Sequence, residues 1–287
     1  MQCDSCSNEA VISQQYSGRH LCYRHHAADL EAKAKRSIRA HHWLVSGDKI
    51  GVVVTGDKRS SALLHFMKKL TEHRRDICLS VIPEDGCSGD SMSTVIQIAT
   101  NFNIACMELL PTSSGSTFQA KNIQECSDDT TFTNQPWRET VSMAAFTKIA
   151  VAVTLEDIAS GTLAMFLRGS LEALPQAIAE ESRAIPVMSP FSTIPAPEVE
   201  IYWDGLGYEI ECPPSSRIPD IFNDRVRTLL EDYNTRHPAT NHALLNLGEQ
   251  LTGGKGVLLA EIRGGDPVPG GIHGMCRLLR EENGNVT

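Results

Sequence analysis

The clearest candidate chemistry lies at the N-terminus, where four side chains follow the pattern Cys-x2-Cys-x15-Cys-x2-His. Two ligand pairs with two-residue gaps are typical of a tetrahedral structural Zn²⁺ site, and the 15-residue spacer, with Gly18, allows a small hairpin between the pairs. Four protein ligands leave no open coordination position, so the predicted role is structural. His20 and His26 stay open as alternatives for the fourth ligand. The predicted ligands are Cys3, Cys6, Cys22 and His25.

A second candidate site is the turn between an apolar run at 50–54 and a helical pattern at 62–67. The run predicts a buried parallel strand, and the pattern predicts the buried face of a helix. Such a turn forms an anion site, because free backbone N–H groups and the helix dipole converge there. Its letters, TGDKRS, resemble the PP-loop, SGGKDS, and lack the Walker A spacing. The predicted ATP-binding residues are Thr55, Gly56, Lys58, Ser60 and Ser61.

Two residues of this turn differ from the PP-loop: Asp57 replaces a Gly and Arg59 replaces an Asp. A carboxylate about 4 Å from a phosphate is repelled by roughly 4 kcal/mol at an effective dielectric constant near 20. Arg59 could pair with Asp57, but then neither residue would be free for ATP or Mg²⁺. We therefore expect the nucleotide role to be weakened or lost. The alternative is a working ATP–Mg²⁺ site, in which Asp157 helps to hold the metal.

A basic helix is predicted over residues 27–45 of an otherwise acidic chain. The formal charge of residues 1–49 is +2, from seven Lys and Arg against five Asp and Glu, whereas the whole chain carries −9. The helix could present a surface to RNA, or it could be an ordinary solvated helix face. The candidate RNA-binding residues are Lys33, Lys35, Arg36 and Arg39.

The composition excludes several classes of protein. No run approaches about 18 apolar residues, so no membrane span is expected, and the N-terminus lacks the pattern of a signal peptide. Nine cysteines, an odd number that are mostly isolated or in a CxxC, favour thiols and metal sites in a reducing compartment. The predicted location is the cytoplasm.

Strand and helix patterns alternate along the rest of the chain, which predicts a Rossmann-like α/β fold with a parallel sheet and helices on both faces. Strands are predicted over 77–82, 103–109 and 148–153, and helices over 92–99, 137–145, 155–167, 198–206 and 218–234. Residues 111–136 are predicted to be an irregular insertion. The predicted domains are a zinc module at 1–26, a basic linker helix at 27–49, an α/β domain at 50–251 and a C-terminal tail at 252–287.

The order of motifs resembles the PP-loop tRNA 2-thiolation family, the TtuA-type 2-thiouridine synthetases. The CxxC…CxxH module is followed by GDKIGVVVTGDKRS, by PEDGCSGDS, by KIAVAVTLEDIASGTLAMFLRGS and by ECPPSSRIPDIFNDRVRTLLEDYNTRHPAT, in the family's order. The resemblance implies the PP-loop ATPase fold. It also implies ATP-dependent adenylation of a tRNA uridine at C2, followed by sulfur transfer.

The resemblance further implies a [4Fe-4S] cluster held by three cysteines in the iron–sulfur members. Cys212 matches one of them, but the CxxC before the helix at Trp137 is absent and Cys126 is the only thiol nearby. One or two thiolates cannot replace three, so we expect zinc and no iron–sulfur cluster. The family's C-terminal zinc finger is reduced to His273 and Cys276, which predicts a degenerate remnant.

Three functions therefore stay open, and so does whether the chain is an enzyme. The first is a divergent PP-loop protein with impaired or lost thiolation that still binds tRNA, another RNA or a protein. The second is an active ATP-dependent tRNA sulfurtransferase, in which Cys212, Cys126 or Cys87 would carry sulfur. The third is a non-catalytic subunit that forms a homodimer or pairs with a PP-loop relative or a sulfur-carrier protein.

Overall fold

A six-stranded sheet in the order β6-β5-β4-β3-β7-β8 organises the chain. A computed structural model describes residues 1–83, 90–112, 115–121, 146–169, 186–212 and 221–251. The strands of the sheet are β3 (Lys49–Val54), β4 (Cys78–Pro83), β5 (Ala105–Thr112), β6 (Gly115–Lys121), β7 (Lys148–Ala150) and β8 (Val187–Met188). All neighbours pair in parallel except β5 and β6. The predicted parallel α/β sheet is therefore confirmed.

Strand β3 lies at the centre of the sheet and is covered on both faces. Its consecutive residues Val52, Val53 and Val54 are all buried, although successive side chains of a strand point to opposite faces. Gly51 belongs to the same strand, and a Cβ there would lie 2.3 Å from the side chain of Ile82 on β4. Close packing of neighbouring side chains thus accounts for the glycine inside an apolar run.

Seven helices occur in the described part of the chain, and most agree with the predicted patterns. Helix α1 both starts and ends earlier than predicted, so the zinc-ligand candidate His25 lies in its first turn. The helices are α1 (Tyr23–Ala40), α2 (Lys58–Thr71), α3 (Asp90–Asn101), α4 (Leu155–Arg168), α5 (Ala196–Asp204), α6 (Ile221–Asn234) and α7 (Thr240–Leu251).

The N-terminal residues form a small hairpin that packs against the rest of the chain. Strands β1 (Ile12–Gln14) and β2 (Arg19–Leu21) pair antiparallel, and Gly18 takes a φ of +68° in the turn between them. Helix α1 continues from this hairpin and contacts α5. Gly205, at the end of α5, meets the ring of Tyr23 so closely that a Cβ would overlap it.

One predicted segment is wrong in part. Residues 111–136 were expected to be irregular because they are rich in Ser and Thr, but residues 115–121 form the edge strand β6. An edge strand is held by its backbone hydrogen bonds to one neighbour, so it needs no apolar alternation.

Several predicted features lie outside the described residues. They are the 84–89 loop with Cys87, Cys126, the helix at 137–145, and the 252–287 tail with His273 and Cys276. Among the helices that are described, none has the length and apolar character to cross a membrane.

Candidate functional site

The predicted nucleotide loop lies where β3 ends and α2 begins, at the carboxyl edge of the parallel strands. Gly56 takes a φ of +84°, a conformation that side chains disfavour, and this turns the chain into the helix. Asp57 is the N-cap of α2, and its Oδ1 accepts a hydrogen bond of 2.8 Å from the backbone N–H of Ser60. A carboxylate of the chain itself therefore occupies a position that would otherwise attract an external anion.

The hydroxyls of the loop are also engaged within it. Ser61 donates to the backbone carbonyl of Asp57 at 2.6 Å, and the hydroxyls of Thr55 and Ser60 lie 3.0 Å apart. The Ser60 hydroxyl also accepts a hydrogen bond from the backbone N–H of Thr55 at 3.2 Å. These bonds hold the turn in one conformation.

Arg59 joins the loop to a second buried carboxylate. Its guanidinium lies 3.5 Å from Asp57 and 3.7 Å from Asp157, so it bridges two acidic groups. Asp157 is fully buried, and its Oδ1 accepts a 2.7 Å hydrogen bond from Arg227 on α6. Its Oδ2 accepts from the backbone N–H of Thr154, which fixes the start of α4. The contacts of Asp157 are thus those of a structural ion pair rather than those of an open Mg²⁺ ligand.

Lys58 extends toward α5. Its ammonium lies 2.7 Å from the Asp204 carboxylate, and this contact raises the pKa of the lysine. Both side chains are well exposed, so the pair contributes no more than about 1 kcal/mol. Lys58 can therefore leave Asp204 at little cost if an anion reaches the loop.

Cys212 lies at the same loop. Its Sγ is 3.8 Å from the Ser61 hydroxyl, although the two residues are far apart in sequence. Burial raises the pKa of the Cys212 thiol, which keeps it protonated at neutral pH. The three N-terminal cysteines are also free thiols.

The structure brings the four predicted metal ligands together at the base of the β1–β2 hairpin. The ligand atoms of Cys3, Cys6, Cys22 and His25 all lie within 4.8 Å of one another. His25 Nδ1 is 3.3 Å from the Sγ of Cys3 and 3.4 Å from that of Cys22, and the sulfurs of Cys6 and Cys22 are 3.6 Å apart. Tetrahedral zinc gives about 3.8 Å between sulfurs and about 3.5 Å between sulfur and nitrogen. The donor set and its spacing therefore fit a single tetrahedral ion.

The environment of the Cys3 thiol suits a metal. Burial raises the pKa of Cys3, but hydrogen bonds from the backbones of Cys22 and Ser5 and from His25 outweigh it and lower the pKa to about 6. Metal ions bind cysteine as the thiolate, so this environment favours the form that coordinates. At Cys6, in contrast, a hydrogen bond from the backbone of Asn8 lowers the pKa, but burial and the neighbouring sulfurs of Cys22 and Cys3 outweigh it, so that the pKa is raised.

The alternative fourth ligands do not join the cluster. The Nε2 of His26 lies 2.8 Å from the backbone carbonyl of Glu198 on α5, and burial lowers the pKa of this histidine. His20 is absent from the group of clustered ligands found in the described residues. His26 thus ties the N-terminal hairpin to α5, while His25 faces the cysteines.

The four candidate RNA-binding residues of α1 separate into two kinds. Lys33 lies 2.7 Å from Asp29 and 3.4 Å from Glu198, and Lys35 lies 3.6 Å from Glu31. A third lysine, Lys69 on α2, also pairs with Glu31. These lysines mainly serve the packing of α1.

Arg36 and Arg39, in contrast, are exposed, and neither forms an ion pair with another described residue. They are the two α1 candidates that remain available to an external polyanion.

Sequence reasoning missed three residues that organise these sites. Arg227, Asp204 and Glu198 lie in helices that pack onto the loop or the hairpin from far along the chain. Each is an ordinary charged residue within a helical pattern, so no local signal distinguishes it.

Comparison with known proteins gives relatives whose names describe tRNA 2-thiolation. No protein-family model matches the chain. It is 24% identical over 282 residues to the tRNA 2-thiolation protein NcsA of Haloferax volcanii, covering 88% of this chain and 87% of the relative. It is 26% identical to cytoplasmic tRNA 2-thiolation protein 1 of Xenopus laevis, covering 88% and 78%.

Among solved structures, the U34-tRNA thiolase NcsA from Methanococcus maripaludis with its [4Fe-4S] cluster superimposes with a TM-score of 0.70. The match covers 88% of this chain and 87% of that one at 17% identity, so it shows a shared fold.

The prediction of zinc without an iron–sulfur cluster is wrong, because this structural neighbour carries a [4Fe-4S] cluster. The prediction counted thiols along the sequence, but spacing along a chain does not determine which thiols meet in the fold. Cys212 illustrates this, since it reaches the loop from 151 residues beyond Ser61.

The order of motifs, the matches over 88% of the chain and the shared fold therefore agree. The chain is similar in sequence and in fold to the tRNA 2-thiolation proteins.

Proposed function

We propose that this protein binds tRNA, as a relative of the tRNA 2-thiolation proteins, and that its ATP-dependent chemistry is impaired or lost because its own Asp57 occupies the nucleotide loop. The observation that carries this proposal is the 2.8 Å hydrogen bond from the Ser60 N–H to Asp57. The tRNA part rests on the relatives, whose names describe tRNA thiolation. The cytoplasmic name of one relative supports the same location for this protein.

The charges around the loop support a weakened phosphate site. A triphosphate at the start of α2 would lie beside the Asp57 carboxylate, and roughly 4 kcal/mol of repulsion is expected at about 4 Å without compensation. Arg59, 3.5 Å from Asp57, cancels part of this repulsion. It then has less charge to offer a phosphate, because it also faces Asp157. We expect the net effect on ATP affinity to be at least tenfold.

The test is isothermal titration of the protein with ATP and Mg²⁺. The wild type should bind more weakly than about 1 mM, and Asp57→Gly combined with Arg59→Asp should bind at least tenfold more tightly, a change of about 1.4 kcal/mol. The control is Asp76→Gly with Arg74→Asp, which makes the same chemical changes in an exposed ion pair elsewhere. Since the loop variant replaces the helix cap Asp57 by Gly, which costs roughly a few tenths of a kcal/mol, and also removes the Arg59 ion pairs, its folding is checked by thermal melting. Micromolar ATP affinity in the wild type would refute the proposal.

We also propose that the N-terminal Cys3–His25 cluster holds one tetrahedral metal ion with a structural role. The three thiolates and the imidazole are a donor set that zinc prefers, and four protein ligands leave no position for a substrate. Such an ion would cross-link the β1–β2 hairpin to the first turn of α1. Metal analysis for both zinc and iron identifies the ion.

A second candidate function, ATP-dependent sulfur transfer, is favoured by the position of Cys212 beside Ser61. The raised pKa of Cys212 argues against it as a ready nucleophile, because the thiolate is the reactive form. The distinguishing assay is formation of 2-thiouridine in a tRNA transcript by wild type and by Cys212→Ser. Activity that requires Cys212 would replace the proposed loss of chemistry with this second function.

A further inference from the structure

The end of helix α1 has an unusual conformation for its sequence. The N–H of His42 donates to the carbonyl of Arg39, and that of Trp43 donates to the carbonyl of Ile38, which is the paired hydrogen bonding of a Schellman motif. The motif requires a left-handed residue after the cap, usually glycine, but this chain has His42 there with a φ of +51°. A left-handed residue with a side chain is strained, so its presence on the surface suggests a function for that side chain.

The side chains beside this turn form an aromatic pair. The rings of His41 and Trp43 stack with centroids 4.6 Å apart and planes 20° apart. Trp43 also packs partly against the main hydrophobic core, which holds it in place. Because Trp43 is held by the core and both rings are half-exposed, the pair is a preorganised platform on which a nucleic-acid base can stack.

Arginines surround this platform. Arg36 and Arg39 lie on the last two turns of α1, and both are exposed. The loop after α2 lies alongside, because the Gly47 N–H donates to the carbonyl of Asp76 at 2.9 Å, and this loop brings exposed Arg75 to the same edge.

None of these three arginines forms an ion pair with another described residue, whereas the adjacent Arg74 is paired with Asp76. The three arginines, the aromatic pair and His42 together form what we call the amino-edge surface. It consists of Arg36, Arg39, His41, His42, Trp43 and Arg75.

We infer that the amino-edge surface binds RNA, with the arginines on phosphates and the His41–Trp43 pair on a base. The inference rests on the proposed tRNA binding and names the surface responsible. Unpaired arginines on a chain of net charge −9 select a polyanion, and the stacked rings favour one that carries bases over an acidic protein.

The position of the surface says which part of the RNA it contacts. The turn that follows it leads into the start of β3, whereas the loop at Thr55 follows the end of that strand. The six residues of β3 span about 20 Å. The surface therefore contacts RNA at about 20 Å from any nucleotide at the loop.

The experiment measures fluorescence anisotropy of a labelled, full-length tRNA transcript with uridine at position 34, over a range of salt concentrations. Arg36→Gln with Arg39→Gln should weaken binding about tenfold or more and lower the slope of log K against log salt by about 1.4 to 1.8, the loss of two phosphate contacts. The control is Arg225→Gln with Arg236→Gln, which removes one exposed arginine from α6 and one from the turn that follows it, where Arg236 lies 3.8 Å from Asp232. It should leave affinity and slope unchanged.

The stacking contact has its own variant. His41→Ala removes the ring without disturbing the core and should weaken binding about fivefold or more with an unchanged salt slope, since stacking releases no counterions. The control is His237→Ala. It removes a histidine that lies in the turn after α6, with its ring centroid 4.5 Å from that of Tyr233 and the two rings tilted by 32°.

Three outcomes would contradict the inference. If the wild type binds no tRNA, the proposed function fails together with this surface. If the wild type binds and the Arg36–Arg39 variant binds within twofold of it, only the surface assignment fails. If polyglutamate of equal charge binds as tightly as tRNA, and His41→Ala changes the affinity for neither ligand, the surface binds acidic protein instead of RNA.

Discussion

Replacing His42 with glycine should make the protein more stable and its RNA binding weaker. His42 is exposed and holds a φ of +51°, so the substitution removes no buried contact and relieves backbone strain. A left-handed residue with a side chain costs about 1 to 2 kcal/mol. Glycine also makes the unfolded chain more flexible, and this lowers the stability of the folded protein by about 0.4 to 1 kcal/mol. The expected net gain is therefore about 0 to 1.6 kcal/mol, with a middle value of about 0.8 kcal/mol.

The assay is equilibrium unfolding in guanidinium chloride together with thermal melting. In a chain of this size a gain of 1 kcal/mol corresponds to about 2 to 4 °C, so Tm should rise by about 1 to 4 °C. Asn103→Gly is the matched control, since Asn103 is the other described residue besides glycine with a positive φ, +52°. Its gain should be smaller, because asparagine tolerates this conformation better than most residues.

The same His42→Gly protein should bind tRNA more weakly, because an imidazole of the amino-edge surface is lost while the Schellman turn is kept. A rise in stability with a fall in affinity would show that the strain is retained for binding. A fall in stability would refute the reasoning, since it would mean that the imidazole stabilises the fold more than the left-handed backbone strains it.

Three further predictions concern the buried charges and the metal cluster. Arg227→Met should destabilise the protein by about 3 kcal/mol, measured by chemical unfolding, because it leaves the fully buried Asp157 with the longer, 3.7 Å contact to Arg59, a cation that it shares with Asp57. Arg236→Met, in an exposed pair, should change stability by less than about 0.5 kcal/mol, and equal effects would contradict this. Burial raises the pKa of Asp48, but hydrogen bonds from the side chains and backbone around it lower the pKa below its ordinary value. Because the folded-state pKa lies below the unfolded-state value, this stabilisation is full above about pH 4 and is lost as the pH falls through the folded-state pKa. Asp48→Asn should therefore make the free energy of unfolding depend less on pH in the acid range. Cys22→Ser should lower the bound metal to well below one ion per chain and lower Tm, and an unchanged metal content would show that the ion is held elsewhere.

The local patterns of the sequence predicted the fold well. The apolar run at β3, the helical spacing at α2 and α4 and the alternation of strands and helices depend on periodicity alone, and the structure confirms the parallel sheet. Edge strand β6 was missed, because a strand held by backbone pairing on one side leaves little trace in side-chain pattern.

The clustering of Cys3, Cys6, Cys22 and His25 was also predictable, because these side chains come in short pairs whose spacing is itself the signal. The prediction against an iron–sulfur cluster was wrong because it relied on the number of cysteines near one another in the sequence. Cysteines that are far apart in the sequence can meet in the fold. The structural neighbour with its cluster overturned the prediction.

The sequence by itself determined the order of elements, the four clustered N-terminal ligands and the presence of Asp57 and Arg59 in the nucleotide loop. Only the tertiary structure decided which charges remain available. Lys33 and Lys35 are paired within the protein, whereas Arg36 and Arg39 have no ion pair with any residue that the structure describes, and Asp157 is held by Arg227. The physical reason is that periodicity and short spacings are local properties, whereas the partner of a charged side chain is set by which distant helix packs beside it.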